Sequence, residues 1–133
     1  MFRIKYSREV ILKLLFQIDM MGLNGKKIEE ILEENDNFFT NINEKEKEFI
    51  TGVIDKVLDQ KEKIDEIIAK NLIGWKLERL LSVDRSLLRM GIAEAQSSTQ
   101  KAVIIDDIIR IAKKYGSEES YKIINAILDK VIS

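Results

Sequence analysis

Apolar residues recur every three or four positions along most of this chain, which is the spacing of an amphipathic α-helix. Eight segments show this period: 7–21, 26–34, 43–58, 61–73, 76–81, 82–95, 103–115 and 117–131. Only the stretch 102–105 is β-prone by composition, and it is too short to displace a helix. The pattern predicts an all-α fold of about seven or eight helices.

Polar residues at the ends of these segments predict where the helices begin and stop. Ser7 and Ser82 are the expected N-caps of the first and sixth helices, because a serine hydroxyl can accept from a free backbone N–H there. Asn43 followed by Glu46 is a capping box variant. Gly116 is the expected left-handed C-cap of the seventh helix.

Composition limits the domain count and the compartment. The 133 residues are 45% hydrophobic and 34% charged, which suits one soluble domain with a real core. Because the chain has no Cys and no Pro, we expect long helices, no disulfides and a cytoplasmic location. Lys13 and Asp19 interrupt the apolar run near the N-terminus, so neither a signal peptide nor a membrane span is expected.

Enzymatic chemistry finds little support in the residue types present. The chain has no His, the commonest general base, and no Cys for a thiol nucleophile or a thiolate metal site. Its six Gly are scattered, so no phosphate-binding loop is present. The glutamates within 29–34 and 44–48 are best explained as solvated helix faces. We therefore predict no catalytic residues, no cofactor and no metal.

Charge is distributed unevenly along the chain although its total is −1. Residues 1–25 have an excess of two positive charges and residues 67–133 an excess of three, whereas residues 26–66 have an excess of six negative charges. If the two ends meet in the fold, they form a local positive face suited to a polyanion.

Five short sequence patterns, taken together, indicate a family. Trp75 to Arg89 has the pattern Trp-x-Leu-x-Arg-Leu-x-x-Val-Asp-Arg-x-Leu-Leu-Arg, and Val103 to Ser120 the pattern Val-x-Ile-Asp-Asp-x-Ile-x-Ile-Ala-Lys-Lys-Tyr-Gly-Ser-Glu-x-Ser. The pattern Asn-x-x-Leu-Asp-Lys begins at Asn125. Ser-Arg-Glu begins at Ser7 and Leu-Leu-Phe-Gln at Leu14. Over essentially its whole length the chain resembles the NusB family of bacterial transcription antitermination factors.

The resemblance implies an all-helical fold of two packed subdomains, about 1–73 and 74–133. It implies binding to the boxA element of ribosomal RNA leader transcripts together with the ribosomal protein NusE. Such proteins act without catalysis, on transcribing RNA polymerase and with other Nus factors. The sequence leaves open whether the chain is a monomer or a homodimer, because amphipathic faces can be covered internally or by a second copy.

The resemblance also indicates which residues would bind RNA. Basic side chains hold phosphates, and aromatic or polar groups hold unpaired bases. The expected RNA-binding residues are Arg3, Lys5, Arg8, Phe16, Asp84, Glu119, Ile123 and Asn125. Several of these residues have a simpler explanation. The basic residues could belong to a solvated terminus, Phe16 could be part of the core, and Asn125 could cap a helix or bridge two helices. Arg89 with Glu94, or Asp84 with Arg85, are candidate structural ion pairs.

The chain departs from the family pattern at places that bear on RNA affinity. The arginine cluster before the first helix is thin, and Ile123 stands where relatives have an aromatic that can stack on a base. Gln100 replaces a proline before the seventh helix. We therefore expect RNA binding to depend on NusE. Two alternatives remain: a protein-interaction bundle that has lost RNA binding, and a stand-alone relative of the N-terminal module of ribosomal RNA cytosine methyltransferases.

Overall fold

The computed structural model describes residues 2–22, 30–31, 33, 41–74, 76–97 and 99–133. Six α-helices lie in these ranges: α1 Ile4–Met21, α2 Glu44–Asp59, α3 Lys61–Lys70, α4 Ser82–Glu94, α5 Lys101–Tyr115 and α6 Ser120–Val131. A 3₁₀ turn over Leu77–Arg79 precedes α4. The described ranges contain no strand, and residues 102–105 lie inside α5. The all-α prediction is confirmed.

Helix α4 is the centre of the fold and contacts α1, α2, α3, α5 and α6. All its residues from Ser86 to Glu94 are buried. A Cβ added at Gly91 would lie 3.2 Å from side-chain atoms of both Ile108 and Leu128, so glycine lets α5 and α6 approach this helix closely. Helix α4 therefore contacts helices of both predicted subdomains, and the division near residue 74 stays a prediction.

The start of α2 agrees with the sequence, whereas those of α1 and α4 do not. Asn43 Oδ1 accepts from the Glu46 N–H at 2.9 Å, and Glu46 Oε1 accepts from the Asn43 N–H at 3.1 Å, which confirms the capping box. The Ser7 prediction was wrong, because α1 begins at Ile4 and the Ser7 hydroxyl donates to the Arg3 carbonyl within it. The Ser82 prediction was wrong because that hydroxyl donates to Asp19 on α1 instead.

Glycines end two of the helices, but only one of them adopts the left-handed conformation. Gly22 is left-handed at φ +65° and ends α1, directly after the predicted segment 7–21. Gly116 is extended at φ −91° and ψ −172°, so the left-handed cap was wrong. The Ser117 N–H donates to Ser120 Oγ at 2.8 Å, and α6 begins at Ser120 rather than at Ser117. The segment 26–34, apart from three residues, and Trp75 lie outside the described residues.

Within the ranges that the structure describes, each helix is too short or too polar to span a lipid bilayer.

Candidate nucleic-acid interface

Arg8 lies in the interior, between three helices. Only 2% of the residue is exposed. Its Nε and one terminal nitrogen donate to the two oxygens of Glu94 at 2.8 and 2.6 Å, and the other terminal nitrogen donates to Asp107 at 3.0 Å. Burial opposes the charged form, but these two carboxylates raise the pKa of Arg8 above its ordinary value. In this conformation the guanidinium joins α1, α4 and α5 and has no donor facing solvent for a phosphate.

Arg3 and Lys5 lie at the surface near the start of α1. Arg3 Nε donates to Glu46 Oε2 at 2.9 Å, and its guanidinium carbon lies 4.5 Å from the centre of the Tyr6 ring. The hydrogen bond from Arg3 is the main reason that the pKa of Glu46 falls to about 2. Lys5 is exposed, and none of the described residues forms an ion pair with its ammonium. Of the three predicted phosphate contacts, these two are accessible.

Glu9 organises the surface where α1 meets the end of α5. It accepts from Lys114 Nζ at 2.7 Å, from the Tyr115 hydroxyl at 2.9 Å and from Arg110 at 3.1 Å. Partial burial raises the pKa of Glu9, but the three hydrogen bonds outweigh it and lower the pKa to about 2. Glu9 is therefore ionised at neutral pH and fixes these three side chains against α1.

Lysines stand beside tyrosine rings across this surface and onto α6. Lys13 and Lys114 lie 5.9 and 5.2 Å from the Tyr115 ring. Lys113 and Lys122 lie 4.9 and 6.0 Å from the Tyr121 ring. We call these six residues the lysine–tyrosine surface: Lys13, Lys113, Lys114, Tyr115, Tyr121 and Lys122. A lysine ammonium at such a distance is attracted to the face of the ring, and because these lysines are exposed their charge stays accessible from solvent.

Glu119 and Asn125 are exposed on or beside α6. Glu119 lines a shallow cavity of about 490 Å³ together with Lys113, Tyr121 and Lys122, and its carboxylate lies 3.7 Å from Lys122. Asn125 lies one helical turn after Tyr121. The structure thus brings Glu119 to the lysine–tyrosine surface.

Two other predicted residues point inward. Asp84 is 3% exposed in the first turn of α4, where burial raises the pKa of its carboxyl against the opposing effects of Ser120 and Arg85. Its Oδ1 has no hydrogen-bond partner among the described residues. Ile123 is half-buried and packs against the core. Neither side chain is freely available at the surface.

The candidate ion pairs form with different partners. Arg89 donates to Asp65 at 2.8 Å and to Asp19 at 3.1 Å, not to Glu94. Arg85 donates to Asp19 at 2.8 Å, not to Asp84. Because Asp19 and Asp65 lie on α1 and α3, these pairs join α4 to both of those helices.

Phe16 belongs to an apolar groove beside the lysine–tyrosine surface. It is 39% exposed, and Met20 and Met21 next to it are 63% and 62% exposed. The groove has a volume of about 480 Å³, and its lining residues are Leu12, Lys13, Phe16, Gln17, Met20, Met21, Val83 and Tyr115. Tyr115 and Lys13 belong to both features. Exposed methionines beside an aromatic ring suit the apolar side chains of another protein.

None of the six residues of the lysine–tyrosine surface was predicted from the sequence to bind RNA. In the sequence, the helix dipole is enough to explain Lys113 and Lys114, and Lys13 only interrupts an apolar run. The available signal was the spacing of Glu9 and Lys13, which share one face of α1. That α5 would bring Tyr115 onto this face depends on tertiary packing.

Comparisons with known proteins agree with one another. A family model described as the NusB family matches residues 5–133. The chain is 37% identical to a transcription antitermination protein NusB from Syntrophomonas wolfei, over 95% of this chain and 92% of the relative. It is 35% identical to one from Elusimicrobium minutum, over 96% and 91%.

Solved structures match over nearly the whole chain. A NusB structure from T. maritima has a TM-score of 0.86 and 33% identity, and covers 99% of this chain and 92% of that chain. A crystal structure of antitermination factors NusB and NusE in complex with dsRNA has a TM-score of 0.82 and 28% identity, with coverage of 96% and 94%.

Proposed function

This chain belongs to the NusB family, whose relatives are named transcription antitermination proteins, and on that premise we propose that it binds boxA-type RNA together with the ribosomal protein NusE. The RNA is that of ribosomal RNA leader transcripts, and the complex acts on transcribing RNA polymerase with other Nus factors. Family membership supports a non-catalytic role, since the relatives are named for antitermination rather than for a reaction.

The lysine–tyrosine surface is the observation that carries this proposal. Four lysines lie within 6.0 Å of two tyrosine rings. Single-stranded RNA is held by cations on its phosphates and by aromatic faces or polar groups on its unpaired bases. Lys5 extends the positive charge along α1, and Glu119 and Asn125 supply polar groups for base edges. Arg8 and Asp84 are buried and Ile123 is half-buried against the core, so we assign these three residues a structural role.

The apolar groove around Phe16 is the better surface for the protein partner. Its exposed side chains include Phe16, Met20 and Met21, which offer few groups to a phosphate backbone and much apolar area to a protein. We assign it to NusE. The alternative occupant is a second copy of this chain, and light scattering of the purified protein distinguishes the two.

The test is a titration of a fluorescent boxA-type RNA oligonucleotide with the protein, in the presence and absence of NusE. We expect tighter binding with NusE. The double variant Lys113→Ala with Lys122→Ala should weaken binding and reduce the slope of log K against log salt by about 0.7 for each phosphate that is no longer neutralised. Lys63→Ala, an exposed lysine on α3, is the matched control and should bind as the wild type does.

Capture of NusE without any RNA binding, alone or in the ternary mixture, would contradict the RNA part of the proposal. That result would favour the alternative of a protein-interaction bundle. Equal RNA affinity with and without NusE would contradict the dependence on the partner alone.

A further inference from the structure

Phe2 and Tyr6 are two aromatic side chains at the start of α1 that lie outside the lysine–tyrosine surface. They are 40% and 42% exposed. The Phe2 ring packs edge-to-face on Phe49, with the ring centres 5.7 Å apart. The Tyr6 ring is covered by Arg3, whose guanidinium carbon lies 4.5 Å from its centre. Both rings are held in place while much of their area faces solvent.

A buried carboxylate holds the Arg3 guanidinium over the Tyr6 ring. The Arg3 backbone N–H and its Nε both donate to Glu46 Oε2 at 2.9 Å, so one carboxylate fixes the backbone and the guanidinium together. Glu46 is 1% exposed, whereas the Arg3 side chain keeps 40% of its area accessible. Lys5, which precedes Tyr6 in the sequence, is exposed as well. A ligand that approaches the Tyr6 ring therefore meets the Arg3 guanidinium before it meets the buried carboxylate.

These rings are continuous with the lysine–tyrosine surface. Positions three and four apart share a helix face, so Tyr6, Glu9 and Lys13 follow one another along α1. Arg110, which holds Glu9 at 3.1 Å, also donates to the Lys5 carbonyl at 3.4 Å. With a rise of about 1.5 Å per residue, Tyr6 lies roughly 10 Å along α1 from Lys13, a distance that two nucleotides can span.

We propose that Phe2 and Tyr6 stack on unpaired bases and extend the RNA site beyond the lysine–tyrosine surface towards the start of α1. This rests on the proposed RNA binding. The occupant is RNA rather than a protein because the Arg3 guanidinium lies over the Tyr6 ring and Lys5 is exposed on the same turn of α1, whereas apolar side chains such as Leu12 and Met20 line the groove. The rings supply base contacts near the N-terminus, where the arginine cluster before the first helix is thin.

The test compares variants of Tyr6 in the same RNA titration with NusE present. Removing one base–aromatic stack by Tyr6→Ala should weaken binding about five- to one-hundredfold. The salt slope should not change, because no charge is removed. Tyr6→Phe keeps the ring and should bind as the wild type does. Phe2→Leu keeps an apolar contact with Phe49 but removes a ring, and should also weaken binding.

A second readout reports stacking directly. The RNA carries 2-aminopurine at one position at a time, and its fluorescence should be quenched by the wild type and by Tyr6→Phe at a position where Tyr6→Ala restores it. Thermal unfolding of each variant checks that the fold is intact.

The outcomes separate this proposal from the one it rests on. Wild-type affinity and unchanged quenching in both Tyr6→Ala and Phe2→Leu would overturn the stacking role, while weaker binding by the Lys113 and Lys122 double variant leaves the proposed function standing. Absence of RNA binding by the wild type with NusE would overturn both.

Discussion

At the scale of single residues, surroundings decide whether a basic side chain serves the fold or a ligand. Lys5 and Arg8 are one helical turn apart on α1, yet Lys5 is exposed and Arg8 is enclosed by Glu94 and Asp107. The sequence near them suggests phosphate contacts for both. The difference arises from two carboxylates that lie 86 and 99 residues further along the chain.

Replacing Arg8 should therefore damage stability before it affects RNA binding. Arg8→Ala leaves Glu94 buried without its cation, while Asp107 keeps Arg110, and the loss of one partner of a buried ion pair typically costs about 3 to 5 kcal/mol of the free energy of unfolding. Urea denaturation measures it. Lys5→Ala is the control and should change that free energy by less than about 0.5 kcal/mol. A folded Arg8→Ala variant with wild-type stability and weakened RNA binding would contradict this assignment.

The lowered pKa values of Glu9 and Asp19 predict how the stability of the protein depends on pH. Glu9 and Asp19 have folded pKa values of about 2, below the ordinary value of each carboxyl. Between pH 2 and about 5 the unfolded chain binds more protons than the folded one, so the free energy of unfolding should rise with pH across this window. The stabilisation is complete above the ordinary pKa and is lost as pH falls towards 2. Asp84 has a raised pKa and acts in the opposite direction.

Urea midpoints measured from pH 2.5 to 6 check this dependence. The variant Glu9→Gln should flatten the slope because its side chain no longer titrates. A variant that retains the full wild-type slope would show that other carboxylates dominate the acid response.

At the scale of helices, local signals were predictable and tertiary ones were not. The Asn43 and Glu46 capping box forms within four residues, so the sequence alone suffices for it. Ser82 has the right type for a cap but hydrogen-bonds to Asp19, which lies 63 residues away. Arg89 likewise pairs with Asp65 rather than with a neighbour in α4. Periodicity predicts a helix, but not what its polar residues meet.

Two glycines should respond to alanine in opposite directions. A Cβ at Gly116 would lie 2.5 Å from Ser120 Oγ and 2.8 Å from the Ala112 carbonyl. We expect Gly116→Ala to destabilise the protein by about 1 to 3 kcal/mol, because the junction of α5 and α6 must shift. Gly52 lies inside α2 with nothing within 4 Å of such a Cβ.

Gly52→Ala should therefore stabilise the protein by about 0.5 to 1 kcal/mol, through the better helix propensity of alanine. Thermal or urea unfolding of the two variants measures both effects. Equal effects of the same sign would contradict the steric explanation for Gly116.

At the scale of the whole molecule, α1 is tied to the rest at both ends. Near its start Arg8 joins Glu94 and Asp107, and near its end Asp19 joins Arg85 and Arg89. The sequence indicated that the basic N-terminal and C-terminal regions could meet, and α1 does lie beside the end of α5. The all-α class and the family were within reach of the sequence. The composition of the lysine–tyrosine surface was not, because it depends on which helices pack side by side.

Tyr115 lies where that surface and the apolar groove share a wall. Its hydroxyl donates to Glu9, and its ring faces Lys13 and Lys114 while also lining the groove. A protein seated in the groove and an RNA on the surface would therefore contact the same side chain, which Glu9 already holds in place. This shared contact couples the two binding events, and thermodynamic linkage requires any gain in affinity to be equal in either order of addition.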